Sequence, residues 1–211
     1  MFRDRIDAGR QLSNALKEFK GGDVVVLAIP RGGLPLGRIV ANRLNAPLDV
    51  VLTKKIGHPY NKEYAIGAVS LEDYMLSDAV GVTKNYITEE VERIRQKLKL
   101  RDSIYHKSKN PEVLKGKTVI IVDDGIATGN TLMVTVELVA KKQPGQVVVA
   151  VPVASKSAIK KLEASPHVDE IICLMVPSVF RSVGMFYDEF YSVSDEQAIA
   201  LLEDRETIDE G

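Results

Sequence analysis

Val119-Ile120-Ile121-Val122-Asp123-Asp124-Gly125-Ile126-Ala127-Thr128-Gly129-Asn130-Thr131 is the stretch whose reading decides the fold. Four β-branched apolar residues in a row, Val119 to Val122, suit a short strand buried on both faces. Two carboxylates stand where that strand should end. A loop of small residues follows, and then an apolar, helix-like stretch from Leu132 to Ala140. A strand that passes through a loop of free amides into a helix N-terminus is a ready anion site. The carboxylates beside it are awkward, because they repel a phosphate unless a neutral hydrogen-bonding group or a cation intervenes. A sugar phosphate meets both demands, with its phosphate in the loop, its hydroxyls on the aspartates and Mg²⁺ nearby.

Outward from this stretch, strand-like and helix-like segments alternate. An amphipathic helix is predicted from about Ile6 to Phe19 and is ended by Gly21-Gly22. Asp23 to Ile29 reads as a buried strand, Leu36 to Leu44 as a helix and Leu48 to Thr53 as a strand. Lys54 to Glu63 is polar and irregular, and Ile66 to Leu71 returns as a strand. A long charged helix runs from Ile87 to about His106. Beyond the motif, Val147 to Val153 is a strand, Ser155 to Ala164 a helix capped by Ser155, Glu170 to Met175 a strand, and Asp195 to about Glu203 a helix with frayed residues after it. This order predicts an α/β fold, a mainly parallel central sheet with helices on both faces. It is read as one domain over 1–211, with a core at about 21–175 and a small hood from about 1–20 and 176–211. Ligands of such sheets bind beyond the carboxyl ends of the strands.

Composition narrows the classes. Hydrophobic content of 45% and charged content of 27% are those of a globular chain, and a net charge of −1 gives no general attraction to nucleic acid or an anionic membrane. No run approaches membrane-spanning length, and Met1 to Arg5 lacks the apolar core of a signal peptide. The single Cys173 lies in an apolar run and cannot form an internal disulfide, which suits a reducing cytoplasm. His58, His106 and His167 lack metal-ligand spacing. Gly116-Lys117-Thr118 resembles the end of a Walker loop, but Pro111 stands where its leading Gly should be, and the segment leads into a strand.

An apolar strand, an acidic pair, a small-residue stretch and Thr128-Gly129-Asn130-Thr131 resemble the phosphoribosyl pyrophosphate (PRPP) signature of type I phosphoribosyltransferases. The simpler alternative is a βα turn of any doubly wound fold, and the preceding Asp-Asp argues against it. The resemblance is strongest over residues 24 to 153. It implies a Mg²⁺-dependent transfer of the phosphoribosyl group from PRPP to a nitrogenous acceptor, of the kind used in nucleotide salvage. It places the 5′-phosphate on Gly125, Ile126, Ala127, Thr128, Gly129, Asn130 and Thr131. Asp123 and Asp124 would take the ribose hydroxyls, with Mg²⁺ held mainly through PRPP and by these two carboxylates.

Arg31-Gly32-Gly33 then matches the family's pyrophosphate loop, where glycines bring amides close to an anion and Arg31 adds a charged fork. Lys54 and Lys55 match its further basic residues. The segment at about 56–64, containing Gly57 and His58, has the composition of its mobile catalytic flap. Phe180, Phe186 and Tyr187 are candidates to stack on the acceptor, the competing reading being packing of the C-terminal arm. The chain further resembles a branch of the family with a Phe-x-x-Val-Gly segment, here Phe180 to Gly184, and an Ala-x-Gly-Ala strand, here Ala65 to Ala68. Its flap departs from that branch's Gly-rich pattern. The charged helix from Ile87 reads as a solvated face, and a homodimer is a family expectation. A PRPP-sensing regulator without transferase activity, and a generic sugar-phosphate-binding α/β enzyme, are the competing readings.

Overall fold

The computed structural model describes residues 1–76, 79–107 and 110–203. Its frame is a five-stranded, wholly parallel sheet. The strands are β1 (Val24–Ala28), β2 (Leu48–Val50), β6 (Thr118–Val122), β7 (Gln146–Val153) and β8 (Glu170–Met175), in the order β2-β1-β6-β7-β8. Register aligns Ala28 with Val122 and Val122 with Ala150. The segments that follow β1 and β6 therefore leave the sheet at one edge.

Alternation along the strands divides the core in two. Val24, Val26, Ala28, Ile120 and Val122 face one layer, with Leu12 of α1 (Arg5–Ala15), Leu36 and Val40 of α2 (Gly33–Leu44), and Ile94 of α3 (Lys84–Tyr105). Val25, Leu27, Val119 and Ile121 face the other, with Val136 of α4 (Asn130–Ala140) and Leu162 of α5 (Lys156–Glu163). The α/β sheet with helices on both faces is thus present as the sequence predicts. Ser155 caps α5 through its hydroxyl, which accepts from the Ala158 amide. The last described helix is α6 (Asp195–Glu203). The expected fraying falls on residues outside the described ones.

Two additions lie outside the parallel sheet. One is a three-stranded antiparallel sheet of β3 (Lys54–His58), β4 (Asn61–Val69) and β5 (Tyr74–Leu76), which forms a hood that the sequence assigns to the terminal segments alone. Residues 54–63, expected to be irregular, form β3 and the start of β4. The register shifts at Ile56/Gly57 and Gly57/His58 explain the miss, because they break the two-residue alternation that marks a strand. Gly57 sits where an added Cβ would lie 2.5 Å from the Lys62 carbonyl oxygen. The hairpin is pinned to α3: the Tyr86 hydroxyl donates to the Gly57 carbonyl at 2.6 Å, and Lys62 Nζ donates to Tyr86 at 2.6 Å. The other addition is where the terminal segments meet. The Phe2 amide donates to Phe186 O at 2.8 Å, and the Asp188 amide donates to Phe2 O at 2.9 Å.

Beneath the β2 edge, His106 is sandwiched between carboxylates. Its Nε2 donates to Asp49 and its Nδ1 to Asp102, both at 2.7 Å, and the Glu112 amide donates to the other Asp49 oxygen at 2.7 Å. The hydrogen bond to Asp49 leads the effects that raise the imidazole pKa, against burial. Burial pushes Asp49 up, yet the bonds from His106 and Glu112 hold it below the usual carboxylate value. The His106 contribution is full below its unfolded pKa and is lost as pH rises through its raised folded value. That of Asp49 is present above its unfolded pKa and is lost as pH falls through its lowered one. Stability from this pair therefore declines on both sides of the mildly acidic range. His106→Ala leaves Asp49 buried without its cation and should cost about 3 kcal/mol. Urea unfolding at mildly acidic and at alkaline pH checks it: the native chain should weaken toward alkali more steeply than the variant, and equal slopes would remove His106 as the cause.

Candidate functional site

The acidic pair closes β6, and its surroundings fix each carboxylate differently. The Asp124 amide donates to Asp123 Oδ1 at 2.9 Å. Burial first, and then the charge of Asp124, push the Asp123 carboxyl well above its ordinary value. Asp124 is also raised by burial, but less, because Arg5 opposes the shift. Arg5 Nε and Nη2 both donate to Asp124 Oδ2, at 2.9 and 2.8 Å, with side-chain exposures of only 12% for the arginine and 14% for the aspartate. The same guanidinium lies 3.9 Å from the Phe190 ring centroid and donates to the Tyr191 carbonyl. The Tyr187 hydroxyl donates to the Asp124 carbonyl oxygen at 2.7 Å.

The glycine loop after β1 packs directly on this pair. The Ile29 amide donates to Val122 O at 2.9 Å, and the Pro30–Arg31 peptide is cis. A Cβ on Gly32 would lie 2.1 Å from Asp124 Oδ2, and one on Gly33 would lie 2.5 Å from the Val122 carbonyl oxygen. Both positions therefore need glycine for close approach, which is a physical reason for the Gly-Gly pair. Arg31 stands at the rim, 3.8 Å from Asp195 and 38% exposed.

The loop from Gly125 to Thr131 is anchored at its buried member and open elsewhere. The Ile126 amide donates to Val153 O and its carbonyl accepts from Ser155 N, both at 2.9 Å. Ile126, expected among the phosphate ligands, is thus the loop's anchor. The Ser155 hydroxyl donates to Ala127 O at 2.5 Å. Gly129 takes φ 75° to start α4, a left-handed conformation that favours glycine. Among the described residues, no protein acceptor takes the amides of Ala127, Thr128, Gly129, Asn130 or Thr131. These are the free donors of a helix N-terminus, with the side chains of Thr128 and Thr131 exposed around them. Lys161 Nζ reaches in from α5, donating to Thr128 O at 2.9 Å and to Asn130 Oδ1 at 2.7 Å.

Other expected residues lie further out or serve differently. Lys54 and Lys55 begin β3, opposite Val69 and Ala68, and point to opposite sides of the hairpin. Thr53, just before them, is tied to Thr135 of α4 at 2.8 Å. His58 packs among the rings of Tyr60 and Tyr64. Phe186 is 9% exposed and packs on Phe180, while Tyr187 is 5% exposed between Phe2 and Phe190. Phe186 and Tyr187, expected to stack on an acceptor, are therefore taken up by packing, and Tyr187 acts on the site through its hydroxyl. Phe180 is half-buried. Sequence reasoning misses Arg5 and Lys161, because no local pattern signals a partner 119 or about 30 residues away.

A family model for the phosphoribosyl transferase domain matches residues 5–184. The chain belongs to the phosphoribosyltransferase family. A relative in Mycobacterium tuberculosis, strains CDC 1551 and H37Rv, provisionally named a phosphoribosyl transferase, is 35% identical over 208 residues. That alignment covers 96% of this chain and 46% of the relative, so the chain spans about half the length of the curated relatives it matches. The crystal structure of TT1426 from Thermus thermophilus superposes with a TM-score of 0.87 at 39% identity, covering 96% of this chain and 97% of that one. In this phosphoribosyltransferase the glycine loop after β1 and the acidic pair after β6 are in direct contact.

No cluster of three or more His, Cys, Asp or Glu side chains suited to a metal occurs among the described residues. Two adjacent carboxylates at the strand end nonetheless fit a Mg²⁺ that keeps most of its ligands on water and phosphate. Among the described residues no helix is long and apolar enough to cross a membrane. Gly32→Ala should drive its methyl group into Asp124 and turn that carboxylate off Arg5. Overpacking of this kind should cost about 1–3 kcal/mol. Thermal unfolding measures it, and an unshifted midpoint would mean that the loop and Asp124 are not in contact.

Proposed function

We propose that this chain transfers the 5-phosphoribosyl group of PRPP to a nitrogenous acceptor of the nucleobase type and releases pyrophosphate. One observation carries the reading: the carboxylate of Asp124 lies against Gly32, so a phosphate on the 127–131 amides and a pyrophosphate on the Arg31 loop would flank the same acidic pair. A ligand with phosphates at both ends and a diol between them has that shape. The amides from Ala127 to Thr131, with the hydroxyls of Thr128 and Thr131, would hold the 5′-phosphate. Asp123 and Asp124 would accept hydrogen bonds from the ribose hydroxyls.

The acceptor nitrogen forms its bond to the anomeric carbon as the carbon–oxygen bond to pyrophosphate breaks. The electron pair leaves with pyrophosphate, and the nitrogen's proton passes to solvent. Positive charge gathers on the sugar ring in between, and the buried acidic pair favours it electrostatically. Arg31, the Gly32 amide and Lys54 would offset the charge of the leaving group. Mg²⁺, bound with the donor, would neutralise part of the pyrophosphate charge. An acceptor of nucleobase type makes the product a nucleotide, which is the chemistry of salvage.

Incubation with Mg²⁺-PRPP and a panel of purines, pyrimidines and other nitrogen acceptors should give pyrophosphate release that depends on one of them. PRPP binding without release under every acceptor would instead favour a PRPP-sensing role, and no PRPP binding would sink both. In the active assay, Asp124→Asn should lower kcat about tenfold or more with a smaller change in PRPP affinity, as expected for a group acting mainly on the developing charge. Unchanged turnover would remove it from that role. Thr128→Ala should weaken PRPP binding about tenfold or more, the loss of one hydrogen bond to a charged oxygen, and calorimetry would show it.

A further inference from the structure

Residues 93–101 of α3 read Arg-Ile-Arg-Gln-Lys-Leu-Lys-Leu-Arg, five cations with no acidic residue among them. The last turn of α3 carries no basic residue, so the helix dipole does not account for this run. Ile94 and Leu98 point into the core, while Arg93, Lys97 and Arg101 recur every fourth residue and form one exposed stripe. Arg93 is paired with Glu90 at 2.5 Å. Lys97 and Arg101 have no carboxylate within ion-pair distance among the described residues. Lys54 lies within electrostatic reach of all three, and their positive charges, after burial, depress its pKa.

A continuous path joins this stripe to the acidic pair. Asp124 touches Gly32, and the neighbouring Arg31 lies 3.8 Å from Asp195. Asp195 accepts from the Tyr105 hydroxyl at 3.2 Å, and Tyr105 lies one helical turn beyond Arg101 and within electrostatic reach of both Arg101 and Arg31. Arg31 and the Arg101 end of the stripe thus meet around Asp195 and Tyr105, and β3, which begins with Lys54, packs against α3, so these cations share one side of a chain whose net charge is −1. Lys97 and Arg101 repel each other and the cations beside them with no paired carboxylate of their own among the described residues, and a bound polyanion relieves that repulsion.

We propose that the pyrophosphate-binding surface continues from Arg31 and Lys54 onto the exposed face of α3, where Lys97 and Arg101, flanked by Arg93, hold the outer phosphate of a pyrophosphate group. The inference rests on reading the Arg31 loop as the pyrophosphate site, and it adds two cations to that site. It replaces the reading of this helix as a merely solvated face.

The test is calorimetry on the full chain with Mg²⁺ and three probes, PRPP, inorganic pyrophosphate and ribose 5-phosphate. Lys97→Ala combined with Arg101→Ala should weaken pyrophosphate and PRPP binding about tenfold and leave ribose 5-phosphate unchanged. The salt dependence of PRPP binding should also become shallower. Lys99→Ala, on another face of the same helix, should bind all three as the native chain does. Unchanged pyrophosphate affinity in the double variant would overturn the proposal, as would an equal loss for ribose 5-phosphate or no pyrophosphate binding by the native chain. If the native chain binds pyrophosphate through these residues but does not bind PRPP, the subsite stands and the proposed donor falls.

Discussion

Asp124 is the point on which the site's construction rests. Its carboxylate is buried next to a second one, an arrangement that costs free energy unless charge and geometry are supplied from elsewhere. Three parts of the chain supply them. Arg5 of α1 forks onto one carboxylate oxygen, Tyr187 of the C-terminal arm donates to the backbone carbonyl, and the bare α-carbon of Gly32 leaves room for the side chain. The terminal segments pair with each other through Phe2 and Tyr187, and so hold Arg5 and the arm together over the end of β6. Arg5 and Tyr187 therefore both bond directly to Asp124.

The parallel sheet makes this convergence possible. Strands β1 and β6 are neighbours in register, so the glycine loop after Ala28 and the acidic pair after Val122 leave the sheet side by side. The amide-lined loop is fixed in turn by Ile126, which bridges to β7, and by the Ser155 hydroxyl. A rigid frame with open amides is what an anion site needs, because ligand binding then costs little ordering. The antiparallel hairpin is held by Tyr86 and Lys62 to α3, so the segment with the composition of a flap has an anchored rather than a free base.

Much of this is legible in the sequence, for physical reasons that differ by element. Continuous apolar runs mark β1, β6 and β7, because a strand buried on both faces cannot alternate. Ser155 announces α5, because a capping hydroxyl has a fixed place relative to the helix. The motif announces the site, because acidic residues beside free amides have few structural uses. The β3–β4 hairpin is not legible, since its bulge at Gly57 removes the alternation. The sequence pattern starts α2 three residues late: Gly33, Leu34 and Pro35 already belong to its first turn, where proline is tolerated. Arg5 and Lys161 are invisible because their partners are distant in sequence. Phe186 and Tyr187 are recognisable as aromatics of the arm, but whether a ring packs or binds depends on neighbours that only the fold supplies.

The most direct measurement is a crystal structure of the full chain grown with Mg²⁺ and PRPP. The expected result is the 5′-phosphate on the amides of Ala127 to Thr131, the ribose hydroxyls on Asp123 and Asp124, and the pyrophosphate against Arg31 and Gly32. A donor bound elsewhere, or one whose sugar does not meet the acidic pair, would contradict it.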